Sequence, residues 1–147
     1  MISRTWHGWT SRENADAYNE LLRKEVFVDY SINLDNKFGF LQLIDVPSLV
    51  DACQEQWYNQ TLCQVNDCVV RLGVLKGEFH WHKHDAEDEF FFVLDGRFLI
   101  DLDNETVTLD RHQGFTVPRG VVHRTRALER AVILMMEASS VKPTGDD

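Results

Sequence analysis

The stretch His80-Trp81-His82-Lys83-His84-Asp85-Ala86-Glu87-Asp88-Glu89-Phe90-Phe91-Phe92-Val93-Leu94-Asp95-Gly96 decides how the rest of the chain is read. Side chains alternate along an extended strand, so His80, His82 and His84 project to one face. Three imidazoles on one face suit a metal ion. Glu89 lies an odd number of residues from His84, so the acidic turn of residues 85–88 has to reset the register before Glu89, Phe91 and Val93 can share that interior. The run from Phe90 to Leu94 is apolar on both faces, as in a strand covered on both sides. One face fits a barrel interior, and the other needs a second sheet, an N-terminal helix or another subunit, which makes a homodimer the expectation. Asp95-Gly96 then reads as a two-residue hairpin turn.

Working outward, strands are expected at residues 68–75, 79–84, 89–94, 97–102, 106–109, 115–117, 121–126 and 131–137, with turns at Asn66-Asp67 and Asp103-Asn104. Short strands at this spacing make a sandwich or barrel, an all-β class. Upstream, Ile32 and Leu34 alternate with polar neighbours, Phe38, Phe40, Leu41, Leu43 and Ile44 follow, and Pro47 opens a helical run to about residue 56. Residues 2–9 alternate like a strand, and Thr10-Ser11-Arg12-Glu13 has the form of a capping box leading into an amphipathic helix over residues 11–27. The chain therefore divides into a strand-helix extension, 1–30, and a β domain, 31–147. Residues 143–147 are expected to fray.

The chain has 147 residues, of which 44% are hydrophobic and 11% aromatic, enough for one core. Acidic residues outnumber basic ones by 24 to 15, a formal charge of −9, which disfavours nucleic acid and anionic lipid as partners. Neither a secretion-type apolar run nor a stretch of spanning length occurs, so a soluble, cytoplasmic protein is expected. Cys53, Cys63 and Cys68 contain no Cys-x-x-Cys pair and read as reduced, mostly buried thiols. There is no Ser/His/Asp set, phosphate-cradling glycine loop or nucleotide fingerprint.

Two histidines from one strand, a carboxylate opening the next and His123 from a later one would form a cage of three nitrogens and one oxygen. That mixture suits divalent iron, manganese, nickel or zinc better than calcium or magnesium. Four protein ligands on an octahedral ion leave two positions for substrate or dioxygen.

His82-x-His84, four residues, Glu89, six residues and Gly96 resemble the first motif of the cupin family, and Pro118-x-Gly120-x-x-His123 resembles the core of its second. The resemblance runs from Ile32 onward and implies a small single-domain cupin: a double-sheet jelly-roll barrel holding a divalent transition metal through His82, His84, Glu89 and His123. Three positions depart from the family pattern. Lys76 stands where a glycine precedes the first motif, with Gly77 one place late. His112 stands where a glycine is expected before Pro118, with Gly114 two places on. Ala127 replaces an asparagine that often closes the second motif. None of these removes a ligand. A shifted set of His80, His82 and Glu87 has the same internal spacing, but Glu87 lies too far from Gly96. Outside the ligand set, His80 becomes an inward neighbour that could orient a ligand or touch substrate, or a hydrogen-bonded core histidine. Separately, the first residues resemble the opening strand and helix of an antibiotic-biosynthesis-monooxygenase-like domain, over fewer than about thirty residues, and read as a remnant or docking arm.

Trp81 and Lys83 should point outward. Phe79, Phe91 and Phe115 line a pocket or fill the core. His7 and His112 should be exposed. Asp85, Glu87 and Asp88 form a solvated acidic turn or a rim for a cationic substrate, and Arg119 and Arg124 meet an anionic substrate or make surface salt bridges. The resemblance implies activation by the ion: a dioxygenase acting on a small organic substrate, a mannose-6-phosphate-isomerase-like enzyme, or a non-catalytic small-ligand sensor with a structural metal. Metal occupancy should fall below about pH 6.5, because histidines must be neutral to bind.

Overall fold

The computed structural model describes residues 30–146. The strand, helix and monooxygenase-like reading of the extension, together with His7, lies outside the described residues. The elements are β1 (Tyr30–Asn33), α1 (Val46–Ala52), β2 (Trp57–Val65), β3 (Cys68–Glu78), β4 (Glu89–Asp95), β5 (Phe98–Asp101), β6 (Thr106–Leu109), β7 (Gly114–Val117) and β8 (Arg124–Ala138).

The main sheet runs β1-β2-β3-β8-β4-β7, with β5 pairing both β6 and β8. Strand β8 closes the jelly-roll barrel. Its early residues Arg124 to Arg126 pair with β5, and its later ones lie between β3 and β4. The separate strands expected at 121–126 and 131–137 are thus one strand from Arg124. It bends where the β3 ladder slips between Leu75 and Gly77, and the exposed Leu128-Glu129-Arg130 stretch stays extended instead of turning. Gly96 has φ +78, and a Cβ there would stand 2.6 Å from the Arg130 carbonyl oxygen, so the β4–β5 turn requires glycine.

Strand β2, absent from the strands expected, is polar at Asn59, Gln60, Thr61 and Gln64. Gln60 and Thr61 are nevertheless buried, Gln60 Nε2 donating to the Asp35 carbonyl at 2.9 Å and the Thr61 carbonyl at 2.8 Å. Strand β1 runs parallel to β2, and from Leu34 the chain crosses to α1, leaving Phe40, Leu41 and Leu43 exposed. Asp45 caps α1 by accepting from the Ser48 amide at 3.5 Å and also takes the Ser48 hydroxyl at 2.7 Å, and Pro47 sits in its first turn. The helix stops at Ala52, short of the expected 56.

Two apolar layers result. Trp57, Leu75, Phe79, Phe91, Phe98 and Ile133 are among the side chains filling the barrel. On the outer face, Leu62, Leu72, Val74 and Val132 lie under Phe38, Ile44, Val46, Leu49 and Val50. Much of the second face of the sheet is therefore covered by the chain's own 38–50 segment.

Two expectations near the histidines are corrected. Residues 79–84 are not a ladder strand. β3 ends at Glu78, just after Gly77 at φ +118, and only an isolated bridge joins His82 to His123. The backbone stays extended enough to alternate, so His82 and His84 are buried while Trp81 is exposed. Residues 143–146 do not fray, because they bond to this segment, which lacks a strand partner on one side.

Candidate metal centre

His82 and His84 come from the segment after β3, Glu89 opens β4, and His123 immediately precedes β8. His82 and His123 exchange both main-chain hydrogen bonds, at 2.9 and 2.8 Å. One potential donor atom from each of His82, His84, Glu89 and His123 lies within 4.8 Å of all the others. All four residues are buried, His123 to 1% exposure. Glu89 Oε2 lies 3.2 Å from His123 Nε2 and 3.4 Å from His84 Nε2.

Main-chain carbonyls two residues back orient two of the rings. His82 Nδ1–H donates to the His80 carbonyl at 3.0 Å, and His123 Nδ1–H to that of Val121 at 3.1 Å, tautomers assigned from these acceptors. Each ring is left with a lone pair on Nε2, and that of His123 faces a carboxylate. Among the described residues, neither nitrogen of buried His84 has a hydrogen-bond partner. An unsatisfied buried polar atom costs about 1–3 kcal/mol, which a cation among the four groups would relieve. Three imidazoles and a carboxylate therefore fit a divalent ion of borderline softness.

Burial opposes the charge on Glu89, but the rings of His123 and His84, whose Nε2 atoms face it at 3.2 and 3.4 Å, outweigh it and hold the carboxyl well below its usual range. Burial, with the neighbouring His123, depresses His82 to about 3, so its ring is neutral over the physiological range. For His84, burial works against the charged form, yet the Glu89 carboxylate raises its affinity for a proton.

Next to the cluster lies a buried ion pair, unforeseen from sequence, between Arg71 and Glu137 at 3.0 Å, with Arg71 Nε donating to Asn59 Oδ1 at 2.8 Å. Burial, then the charge of Glu89, raises Glu137 to about 7 against the pull of Arg71. The available signal was a charge interrupting each of two apolar strands, VVRLGVL and AVILMMEA. A cavity of about 30 Å³ adjoins His82 and Glu89, lined also by Trp57, Phe79, Phe91 and Pro143. Phe115 instead packs against the barrel core.

The other sequence candidates separate from the cluster. His80 is half-buried and its ring Nε2 donates to the Thr144 carbonyl at 2.7 Å. Glu87 accepts from Ser140 Oγ at 2.8 Å and is not among the four clustered groups, so the shifted set is not assembled. Arg124 stacks over Trp81 and bonds Asp101 and Glu78, and Lys83, half-buried, pairs with Asp85. Asp88 accepts from the Arg119 amide at 2.9 Å. His112 is exposed at φ +68, a left-handed conformation in which glycine is favoured, which explains the family's preference there.

A short jelly-roll barrel with a three-histidine, one-carboxylate cluster turned inward is the class that fold and site define. The sequence pattern of the family described as Cupin domain matches residues 69–137. Over 91 residues the chain is 42% identical to protein YdbB of Bacillus subtilis (strain 168), covering 61% of this chain and 80% of that one. The chain belongs to the cupin superfamily. It is also 33% identical over 66 residues to the polyketide synthase CurC of Streptomyces cyaneus, 43% of each chain. A cupin-2 domain protein from Shewanella frigidimarina superposes with TM-score 0.63 at 28% identity, covering 65% of this chain and 94% of that one. A protein from Neisseria meningitidis superposes with TM-score 0.60 at 23% identity, covering 66% and 99%.

Proposed function

We propose that the protein is a metal-dependent cupin enzyme of dioxygenase type, with His82, His84, Glu89 and His123 as the ligands and a small, carbon-rich organic molecule as substrate. The observation that carries this reading is the buried four-donor cluster adjoining a cavity walled by the aromatic rings of Trp57, Phe79, Phe91 and Phe98, with Asn59 and Thr125 as polar members. A bound redox-active divalent ion would supply Lewis acidity and electrons for dioxygen. The chain's own contribution is to fix the rings of His82 and His123 through the His80 and Val121 carbonyls, and to exclude water with Trp57, Phe79 and Phe91.

The charge arrangement favours this over the sugar-phosphate isomerase alternative. No lysine or arginine is among the described residues lining the cavity, and Arg71 and Arg124 are committed to Glu137 and Asp101. The likeness to a protein named as a polyketide synthase supports a carbon-rich substrate. A second reading, a non-catalytic ligand sensor in which the metal is structural, is favoured by the burial of all four donors, which leaves only about 30 Å³ beside the cluster and would place the sensed ligand elsewhere on the barrel. The proposal further includes a homodimer and a cytoplasmic location. It is supported by the partly exposed Phe90 and Met136 for the first and three unpaired cysteines for the second.

Elemental analysis of protein purified without added metal, with oxygen uptake measured against small catechols and β-diketones, tests the enzyme reading. Stoichiometric iron and uptake abolished by His82→Ala are expected. Zinc, no uptake and a lowered melting temperature on chelation would establish the sensor reading instead, and absence of bound metal would overturn both.

A further inference from the structure

After β8 the chain turns back, with the Val141 amide bonded to the Ala138 carbonyl at 3.1 Å and the Val141 side chain buried. Residues 142–146 then lie along the histidine segment. We propose that this strap is a positioning element for the metal centre, holding His80 and, through the His80 carbonyl, the ring of His82 in its metal-receiving orientation. The consequence for metal rests on the reading above; the hold on His82 stands on contacts alone.

Three hydrogen bonds fasten the strap to the segment. His80 Nε2–H donates to the Thr144 carbonyl at 2.7 Å, the Asp146 amide to the Lys83 carbonyl at 2.8 Å, and the Asp85 amide to Asp146 Oδ2 at 2.9 Å. On its other side the segment is held by residues 120–125, through Phe79, His82 and His84. The histidines are thus clamped between barrel and strap.

Gly145 makes the closest approach. Its φ is +86, and a Cβ there would stand 2.6 Å from His82 Cβ and 3.1 Å from His82 Cγ and Cδ2. The strap backbone is therefore packed directly against His82, in a conformation suited to glycine. A turn closed by the Gly145 amide on the Lys142 carbonyl at 2.8 Å, and by Lys142 on Asp146 at 3.2 Å, sets this geometry. Pro143 also contributes to the cavity wall. His82 is bounded by the His80 carbonyl on Nδ1, by Gly145 against its Cβ and ring, and by Phe79 at 5.2 Å between ring centroids. Outer contacts that fix a ligand's ring and tautomer alter metal affinity by about 10–100-fold.

The test compares wild type, Gly145→Val, His80→Ala and His80→Gln as full chains. His80→Gln keeps an amide able to reach Thr144. Two readouts are taken: the ring-nitrogen NMR signals of His82 in metal-free protein, and the affinity and visible spectrum of added Co2+. The expected result is an Nδ1–H tautomer of His82 in wild type that becomes a mixture in Gly145→Val and His80→Ala. With it go Co2+ affinity lowered about ten-fold or more, a shifted spectrum, and substantial rescue by His80→Gln. Unchanged His82 signals in both variants would overturn the strap proposal, whatever Co2+ does. If wild type takes up no Co2+ while the His82 signals still change, the metal reading fails and the strap's hold on His82 survives. Should Gly145→Val not fold, the two His80 variants decide the matter by the same signals.

Discussion

Glu89 and Glu137 stand opposite each other on β4 and β8, two register-paired carboxylates inside one barrel. Such a pair is tolerable because each has its own compensation: Glu89 the histidines, Glu137 the guanidinium of Arg71. Removing only Arg71 leaves Glu137 buried and unpaired beside a second carboxylate. Arg71→Met is therefore expected to cost about 3–5 kcal/mol, and Arg71→Met with Glu137→Met to recover most of it. Urea unfolding of the two variants measures this, and equal loss in both would show the ion pair to be unimportant.

Asp101 supplies the acid limb of stability away from the four-residue cluster. It accepts from Arg124 at 2.7 Å, Arg126 at 2.8 Å and Thr106 at 2.7 Å. Burial pushes its pKa up, but the Arg126, Thr106 and Arg124 hydrogen bonds prevail and bring it to about 2 from 3.8. A folded-state pKa below the unfolded one stabilises the fold above the unfolded value, and that stability is lost as pH falls from about 4 to about 2. Melting temperature should drop across this window in wild type, with a shallower drop in Asp101→Asn.

His112 occupies a left-handed position, φ +68, with its amide donating to the Val93 carbonyl at 2.8 Å. Left-handed backbone costs an L-residue roughly 1–2 kcal/mol, while glycine adds about 0.5–1 kcal/mol of unfolded-state freedom. His112→Gly should therefore stabilise by a few tenths to about 1 kcal/mol, read as a higher urea midpoint with unchanged slope. A lower midpoint would show that the imidazole makes a contact worth more than the strain.

The legible parts of the sequence were those whose signal is local. The His82, His84, Glu89 spacing and the β-branched and aromatic runs from Cys68 and Glu89 announce a donor set and strands within a few residues of themselves. Strand β2 was hidden because buried Gln60 is made tolerable by Asp35, 25 residues away, and the ion pair of Arg71 on β3 because its partner Glu137 lies 66 residues away. The unity of β8 was hidden because Leu128-Glu129-Arg130 has the polarity of a turn, and only the barrel's closure keeps it extended. The ordering of residues 143–146 depends on bonds to the histidine segment, about sixty residues upstream, through the His80 and Asp146 side chains and the Asp146 amide, which no local pattern announces.

Phe90 and Met136 are register partners on the outer face of β4 and β8, 36% and 47% exposed, beside half-buried Val70 and Phe92. The segment that covers Leu72 and Val132 does not extend to them. Burying what remains exposed of either side chain against a second copy would contribute roughly 0.5–1.5 kcal/mol, and two copies meeting about a two-fold axis would bury the patch of each. Charge at the same positions would have to be desolvated without a partner. Phe90→Glu with Met136→Glu is therefore expected to convert a dimer to a monomer in light scattering at micromolar concentration, with the far-ultraviolet circular dichroism of the barrel retained. A wild-type protein that is already monomeric there, or a variant that remains dimeric, would remove this face from the assembly.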